Sequence, residues 1–190
     1  MKKIIILLVI VVNGFSFAQE TTSTENANPK NELKINAIST LAGFPEFTYE
    51  RIINEESAVG LSMGFAADKE IETKFTLTPY YRFYFGKKYA AGFYVEGFGM
   101  LNSISTQDYQ YYVYNPTYDP VYGSNYVTQK GEKYTDFALG FGIGSKWITK
   151  KGVIFEINAG FGRNLLNADK NDFYDHVFVG RGGLSIGYRF

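Results

Sequence analysis

The chain has 190 residues, one domain's worth by length, and its 19 Lys+Arg against 19 Asp+Glu give a formal charge of zero. That balance excludes the basic excess of a nucleic-acid binder. The absence of cysteine excludes disulfide scaffolds, thiolate metal sites and cysteine nucleophiles. Sixteen Tyr, 17 Phe and 20 Gly beside one Trp and one His suit strands, because glycine weakens helices and aromatic rings pack across sheets.

The chain opens with Lys2-Lys3, an apolar run over 4–12 and the small-residue site Ser16-Phe17-Ala18. This is the make-up of a secretory signal peptide, 1–18, cut between Ala18 and Gln19. The run falls short of the roughly 20 residues that span hydrocarbon as a helix. Residues 19–31, QETTSTENANPKN, hold no apolar side chain larger than alanine or proline and are expected to form a flexible periplasmic leader. The folded domain is then 32–190.

From there a period of two runs to the last residue, the mark of half-buried strands. Strand one, 33–41, presents Leu33, Ile35, Ala37 and Leu41 on its apolar face. Strand two, 45–53, presents Pro45, Phe47, Tyr49 and Ile53, and strand three, 58–66, presents Val59, Leu61, Met63 and Phe65. Strand four, 73–85, sets Phe75, Leu77, Pro79, Tyr81, Phe83 and Phe85 against Lys74, Tyr80, Arg82 and Tyr84. Strand five, 89–101, sets Ala91, Phe93, Val95 and Leu101 against Tyr94, Glu96 and Phe98. Strand six, 134–148, sets Phe137, Leu139, Phe141, Ile143 and Trp147 against Asp136, Lys146 and three glycines. Strand seven, 153–164, sets Val153, Phe155, Ile157, Ala159 and Phe161 against Glu156, Asn158 and Asn164. Strand eight, 177–190, sets Phe178, Leu184, Ile186, Tyr188 and Phe190 against Arg181 and Arg189.

The joints sort by parity. Tight turns are predicted at 54–57, 86–88 and 149–152, while the other end carries 42–44, 67–72, 102–133 and 165–176. Short turns at one end and long loops at the other match an outer-membrane barrel. The predicted fold is all-β: an eight-stranded antiparallel up-and-down transmembrane β-barrel, with strand one closing on strand eight because hydrocarbon tolerates no open edge. A soluble secreted ligand-binding barrel shares the alternation but turns its apolar set inward. Here the second face carries glycines and charges of both signs, and an eight-stranded bore is just wide enough for side chains to fill. Gly140, Gly142, Gly144, Gly160 and Gly162 leave room there for Tyr80, Tyr84, Tyr94 and Phe98. Glu50, Arg82, Glu96, Lys146, Glu156 and Arg181 on that face are expected to form a lumen ion network, since buried charges need partners. Counting from the tight turns puts Glu50, Arg82, Lys146 and Glu156 in one layer, with Glu96 and Arg181 higher. Pro79 predicts a bulge or an unpaired position in strand four.

The chain closes as Gly187-Tyr188-Arg189-Phe190, and the terminal aromatic resembles the assembly signal that barrel-insertion machinery reads. With Leu33-Lys34-Ile35-Asn36, the 45–51 segment PEFTYER, the 79–85 segment PYYRFYF, Gly140-Phe141-Gly142-Ile143-Gly144 and the 183–190 end, the chain resembles the small eight-stranded bacterial outer-membrane β-barrel proteins of the OmpA/OmpX-like class. Within that class it looks like the uncharacterised DUF3575-like barrels of Bacteroidetes. The resemblance covers about 33–190 and implies a cell outer membrane location, with outer-membrane lipids and insertion machinery as partners. It implies no catalytic residue, and it extends to no peptidoglycan-binding domain.

Few residues fall in the pattern of a chemical site. His176, the sole histidine, has no serine in a nucleophile motif to serve. Asp169, Asn171, Asp172 and Asp175 offer oxygen ligands, but Phe173 and Tyr174 break the calcium-loop pattern. Gly140-x-Gly142-x-Gly144 lies within a strand and cradles no phosphate. No cofactor, metal or enzyme activity is implied. The loop 102–133 stands apart, with Tyr109, Tyr111, Tyr112, Tyr114, Tyr118, Tyr122 and Tyr126 and no phenylalanine. Tyrosine is frequent at recognition surfaces, so this extracellular loop is either a contact surface for a protein or glycan or an extended barrel wall. The expected function is a monomeric, non-enzymatic outer-membrane barrel with a filled lumen, serving envelope structure or surface interaction. A barrel transporting small solutes or apolar ligands is the alternative, with a lipid-modifying enzyme further off.

Overall fold

The computed structural model describes residues 29–112, 126–166 and 177–190. Among them are ten strands and one short helix: β1 (Asn31–Asn36), α1 (Ala37–Leu41), β2 (Glu46–Ile52), β3 (Ser57–Phe65), β4 (Thr73–Tyr84), β5 (Gly92–Ser105), β6 (Tyr109–Tyr112), β7 (Tyr126–Gln129), β8 (Lys133–Ile148), β9 (Val153–Asn164) and β10 (Phe178–Arg189). Eight of the strands form a closed barrel in the order β1-β10-β9-β8-β5-β4-β3-β2, with β2 returning to β1. The seam pairs Leu33 with Tyr188 and Ile35 with Ile186. It runs on to the last residue, where Asn31 and Phe190 exchange backbone bonds of 3.0 and 2.8 Å. Closure satisfies every ladder edge, which hydrocarbon requires.

The alternating faces decide what surrounds the barrel. Phe141 is 70% exposed and Trp147 55%, and Leu61, Tyr81, Phe93, Phe155 and Ile186 also point outward. The alternate positions point into the bore, and there Glu50, Arg82 and Lys146 are buried. A water-soluble barrel needs the reverse. An apolar girdle around a charged interior is the pattern of a membrane-spanning barrel.

Glycine makes the interior fit. Tyr80 lies across Gly60 on β3, Phe98 across Gly140 on β8 and Tyr94 across Gly144 on β8, each pair being register partners. A Cβ at Gly144 would overlap the Tyr94 hydroxyl and the Ile157 carbonyl. Each large ring thus occupies the side-chain volume its neighbour lacks.

Two details depart from the sequence expectation, a third bears it out and a fourth refines it. The first strand stops at Asn36, and Ala37 and Leu41, predicted on its apolar face, belong to α1. Asn36 causes the change: its Oδ1 accepts the Ser39 N–H at 3.2 Å, its carbonyl accepts from the Thr40 hydroxyl at 2.6 Å, and its Nδ2 donates to the Gly182 carbonyl at 3.0 Å. A side chain capping the helix and tying it to β10 outcompetes two more strand residues. Second, the β4–β5 connection covers 85–91, not 86–88, and β5 begins at Gly92. This turn folds under the bore: Ala90 and Ala91 are buried, and Ala90 holds an uncommon φ of 41°. The Ala90 N–H donates to the Glu55 carbonyl at 2.8 Å, and Arg189 donates to the carbonyls of Tyr89 and Ala90 at 2.9 and 2.7 Å. Third, at Pro79 the β4–β5 ladder passes from Leu77↔Leu101 to Tyr80↔Phe98 without losing register, so the gap falls at the missing N–H. The bulge lies elsewhere, between Thr73 and Phe75. Fourth, much of 102–133 is sheet. The barrel ladder reaches Ser105↔Lys133, and above it β6 and β7 form a separate hairpin pairing Tyr109 with Gln129 and Tyr112 with Tyr126.

Candidate functional site

The densest chemistry lies inside the bore. Strand alternation delivers Glu32 and Lys34 from β1, Glu46 and Glu50 from β2, Arg82 from β4, Glu96 from β5, Lys146 from β8, Glu156 from β9, and Arg181 and Arg189 from β10. Arg82 is the hub. Its Nη1 donates to Glu50 at 2.9 Å and to Glu156 at 2.8 Å, and its Nε donates to Glu96 at 2.7 Å. The guanidinium is held between the Tyr80 and Tyr94 rings, 4.4 and 4.2 Å from their centroids. Lys34 bridges Glu50 and Glu156 at 2.8 and 2.7 Å. Lys146 joins Glu50 to Glu32, the latter at 2.8 Å, and stacks over the Tyr84 ring. Arg181 extends the network toward the loop end, donating to Glu96 and to the Ser62 hydroxyl, each at 2.9 Å. Arg189 closes the turn end on Glu32 at 2.6 Å.

Glu50 and Glu156 also accept from phenols. Tyr80 and Tyr84 donate to Glu50 at 2.8 and 2.7 Å, and Tyr94 donates to Glu156 at 2.9 Å. Through Ser62 of β3, every barrel strand contributes to one connected set. Glu46 is the most accessible member, with its side chain 18% exposed and 3.7 Å from Arg181. Lys34, Arg82, Lys146, Arg181 and Arg189 thereby face Glu32, Glu46, Glu50, Glu96 and Glu156, and the charges balance.

The six residues singled out from the sequence, Glu50, Arg82, Glu96, Lys146, Glu156 and Arg181, all lie in this set. Glu96 stands opposite Arg82 in the β4–β5 register and links it to Arg181. Glu32, Lys34, Glu46 and Arg189 complete the set and are not among those six. Their signal was present: Glu32, Lys34 and Asn36 are the polar half of β1's alternation, and Arg189 shares a face with Arg181. Lys74, placed on the inward face, instead uses its ammonium to hold the Lys69 and Ile71 carbonyls of the β3–β4 loop.

Above Arg181 the bore opens into a vestibule of about 390 Å³ at the loop end, lined by Phe44, Thr78, Met100, Asn102, Asn164 and Val179 among others. The Asn102 amide donates to Asn164 Oδ1 at 2.8 Å. Of the tyrosines in the long loop, Tyr111 is described with its side chain: it is 43% exposed, and so is its cross-strand partner Val127. Tyr109, Tyr112 and Tyr126 take their places in the hairpin backbone. Tyr114, Tyr118, Tyr122, His176, the carboxylates at 169–175 and the signal segment lie outside the described residues. Phe190 is half-exposed on the outer face. Among the described residues, no group of His, Asp and Glu side chains is arranged to hold a metal ion.

Fold and interior together define an eight-stranded barrel of the outer-membrane type. The chain is similar in structure to the N-terminal β-barrel domain of Pseudomonas aeruginosa OprF, with a TM-score of 0.56 over 86% of this chain and 98% of that one. Identity is 12%, so the likeness is one of fold. Neither a protein-family profile nor a curated protein sequence matches the chain.

Proposed function

We propose that this chain is a non-enzymatic, monomeric outer-membrane protein whose lumen is sealed by side chains and which serves envelope structure or surface interaction through the loops opposite its tight turns. The observation that carries the reading is the connected ion network to which every barrel strand contributes. Its central carboxylates are engaged by ammonium, guanidinium or phenol groups, which leaves them unavailable for acid–base work. Small-solute transport would require the network to part, because the vestibule ends on Arg181. The finer kinship, with the DUF3575-like barrels, and the cleavage after Ala18 belong to the same proposal. So do the barrel-insertion machinery and an extracellular protein or glycan as partners.

Three measurements test it. Refolded protein in a planar bilayer should give no sustained conductance, and a stable open channel would refute the sealed lumen. Replacing 106–132 by a short turn should leave the barrel folded, because Ser105 and Lys133 already pair below the hairpin. A glycan array or pull-down should then lose its signal with the loop. Binding that survives the deletion would move the contact surface elsewhere. In cells, fractionation and intact mass should find residues 19–190 in the outer membrane.

A further inference from the structure

The tight-turn end of the barrel is basic where it meets the lipid-facing wall. The β4–β5 connection carries Lys87 and Lys88, and the β8–β9 turn carries Lys150 and Lys151. Because β5 pairs with β8, these two turns are neighbours. All four lysines are exposed, and none forms an ion pair among the described residues. Glu55 and Glu56, on the adjoining β2–β3 turn, make no ion pair with them.

A groove of about 330 Å³ runs between the turns. Gly86, Lys87, Lys88 and Gly92 form one side, and Trp147 and Ile148 form the other. Trp147 is 55% exposed and Phe93 49%, and both face outward. Two cations above an aromatic and aliphatic wall, with two more on the next turn, match the anatomy of an anionic phospholipid: phosphate at the rim and acyl chain along the strands. The opposite end lacks this bias, since Lys69, Lys130 and Lys133 there are interspersed with Asp68, Glu70, Asp108 and Glu132.

We infer that the groove framed by Lys87, Lys88 and Trp147, with Lys150 and Lys151 beside it, is a binding site for an anionic phospholipid of the leaflet at the turn end. The inference rests on the membrane reading above and adds to it a lipid preference on one side of the barrel. Each lysine close to a headgroup phosphate should favour the anionic lipid about five-fold. The preference should shrink as salt screens the rim.

Trp147 is the sole tryptophan and lies in the groove wall, so it reports occupancy directly. The barrel is refolded into vesicles of phosphatidylcholine and phosphatidylglycerol in which one or the other carries brominated acyl chains, and quenching of Trp147 fluorescence is titrated. Wild type should prefer phosphatidylglycerol at least about five-fold. The Lys87→Gln/Lys88→Gln/Lys150→Gln/Lys151→Gln variant should show no preference, while Lys130→Gln/Lys133→Gln at the other end should behave as wild type. Equal quenching by the two lipids in wild type overturns the site. So does a preference that survives the quadruple substitution or falls equally with the loop-end pair. Absence of quenching by either lipid would overturn the membrane reading itself, which separates the two failures.

Discussion

Replacing Arg82 with methionine keeps most of the side-chain volume and removes the hub of the network. Three charge-assisted bonds are lost, at 2.7, 2.8 and 2.9 Å, together with two ring contacts. Removing one partner of a buried ion pair costs about 3–5 kcal/mol when the other charge is stranded. None is fully stranded here. Glu50 keeps Lys34, Lys146, Tyr80 and Tyr84, Glu156 keeps Lys34 and Tyr94, and Glu96 keeps Arg181. The expected loss therefore sits at the lower end, about 3 kcal/mol. Removing a carboxylate as well, in Arg82→Met/Glu156→Gln, should recover part of it by restoring charge balance, a coupling that a double-mutant cycle isolates. Urea unfolding of the refolded barrel, followed by Trp147 fluorescence and by the mobility of unheated protein on a gel, measures both. A loss below about 1 kcal/mol, the range of exposed pairs, would show that water screens the bore and would refute the sealed network.

Gly144→Ala should destabilise the barrel by about 1–3 kcal/mol, since its Cβ meets Tyr94 and the Ile157 carbonyl, whereas Gly97→Ala, with open space around it, should fall within about 0.5 kcal/mol. The same unfolding assay compares them, and equal effects would dismiss ring-over-glycine packing. Phe190→Ala should lower assembled yield in cells more than it lowers the stability of the folded barrel, because its side chain is 45% exposed and adds little packing. Equal loss in both would assign Phe190 to packing alone.

Period-two alternation made the strands and their outward-facing residues legible, because a pleated strand fixes which side each residue faces whatever lies beyond it. The same rule marked Glu50, Arg82, Glu96, Lys146, Glu156 and Arg181 as inward. Alternation is blind where a side chain bonds its own backbone. Ala37 and Leu41 keep the strand rhythm, yet Asn36 caps a helix there, and the turn around Ala90 tucks under the bore on a bond donated to the Glu55 carbonyl and another accepted from Arg189, both far along the chain. Which charge meets which was likewise undetermined by sequence. Pairing across a barrel depends on stagger, summed strand by strand around the closure. Only the closed fold brings Glu32 to Arg189 and Lys34 to Glu156, residues more than a hundred positions apart that have no local reason to meet.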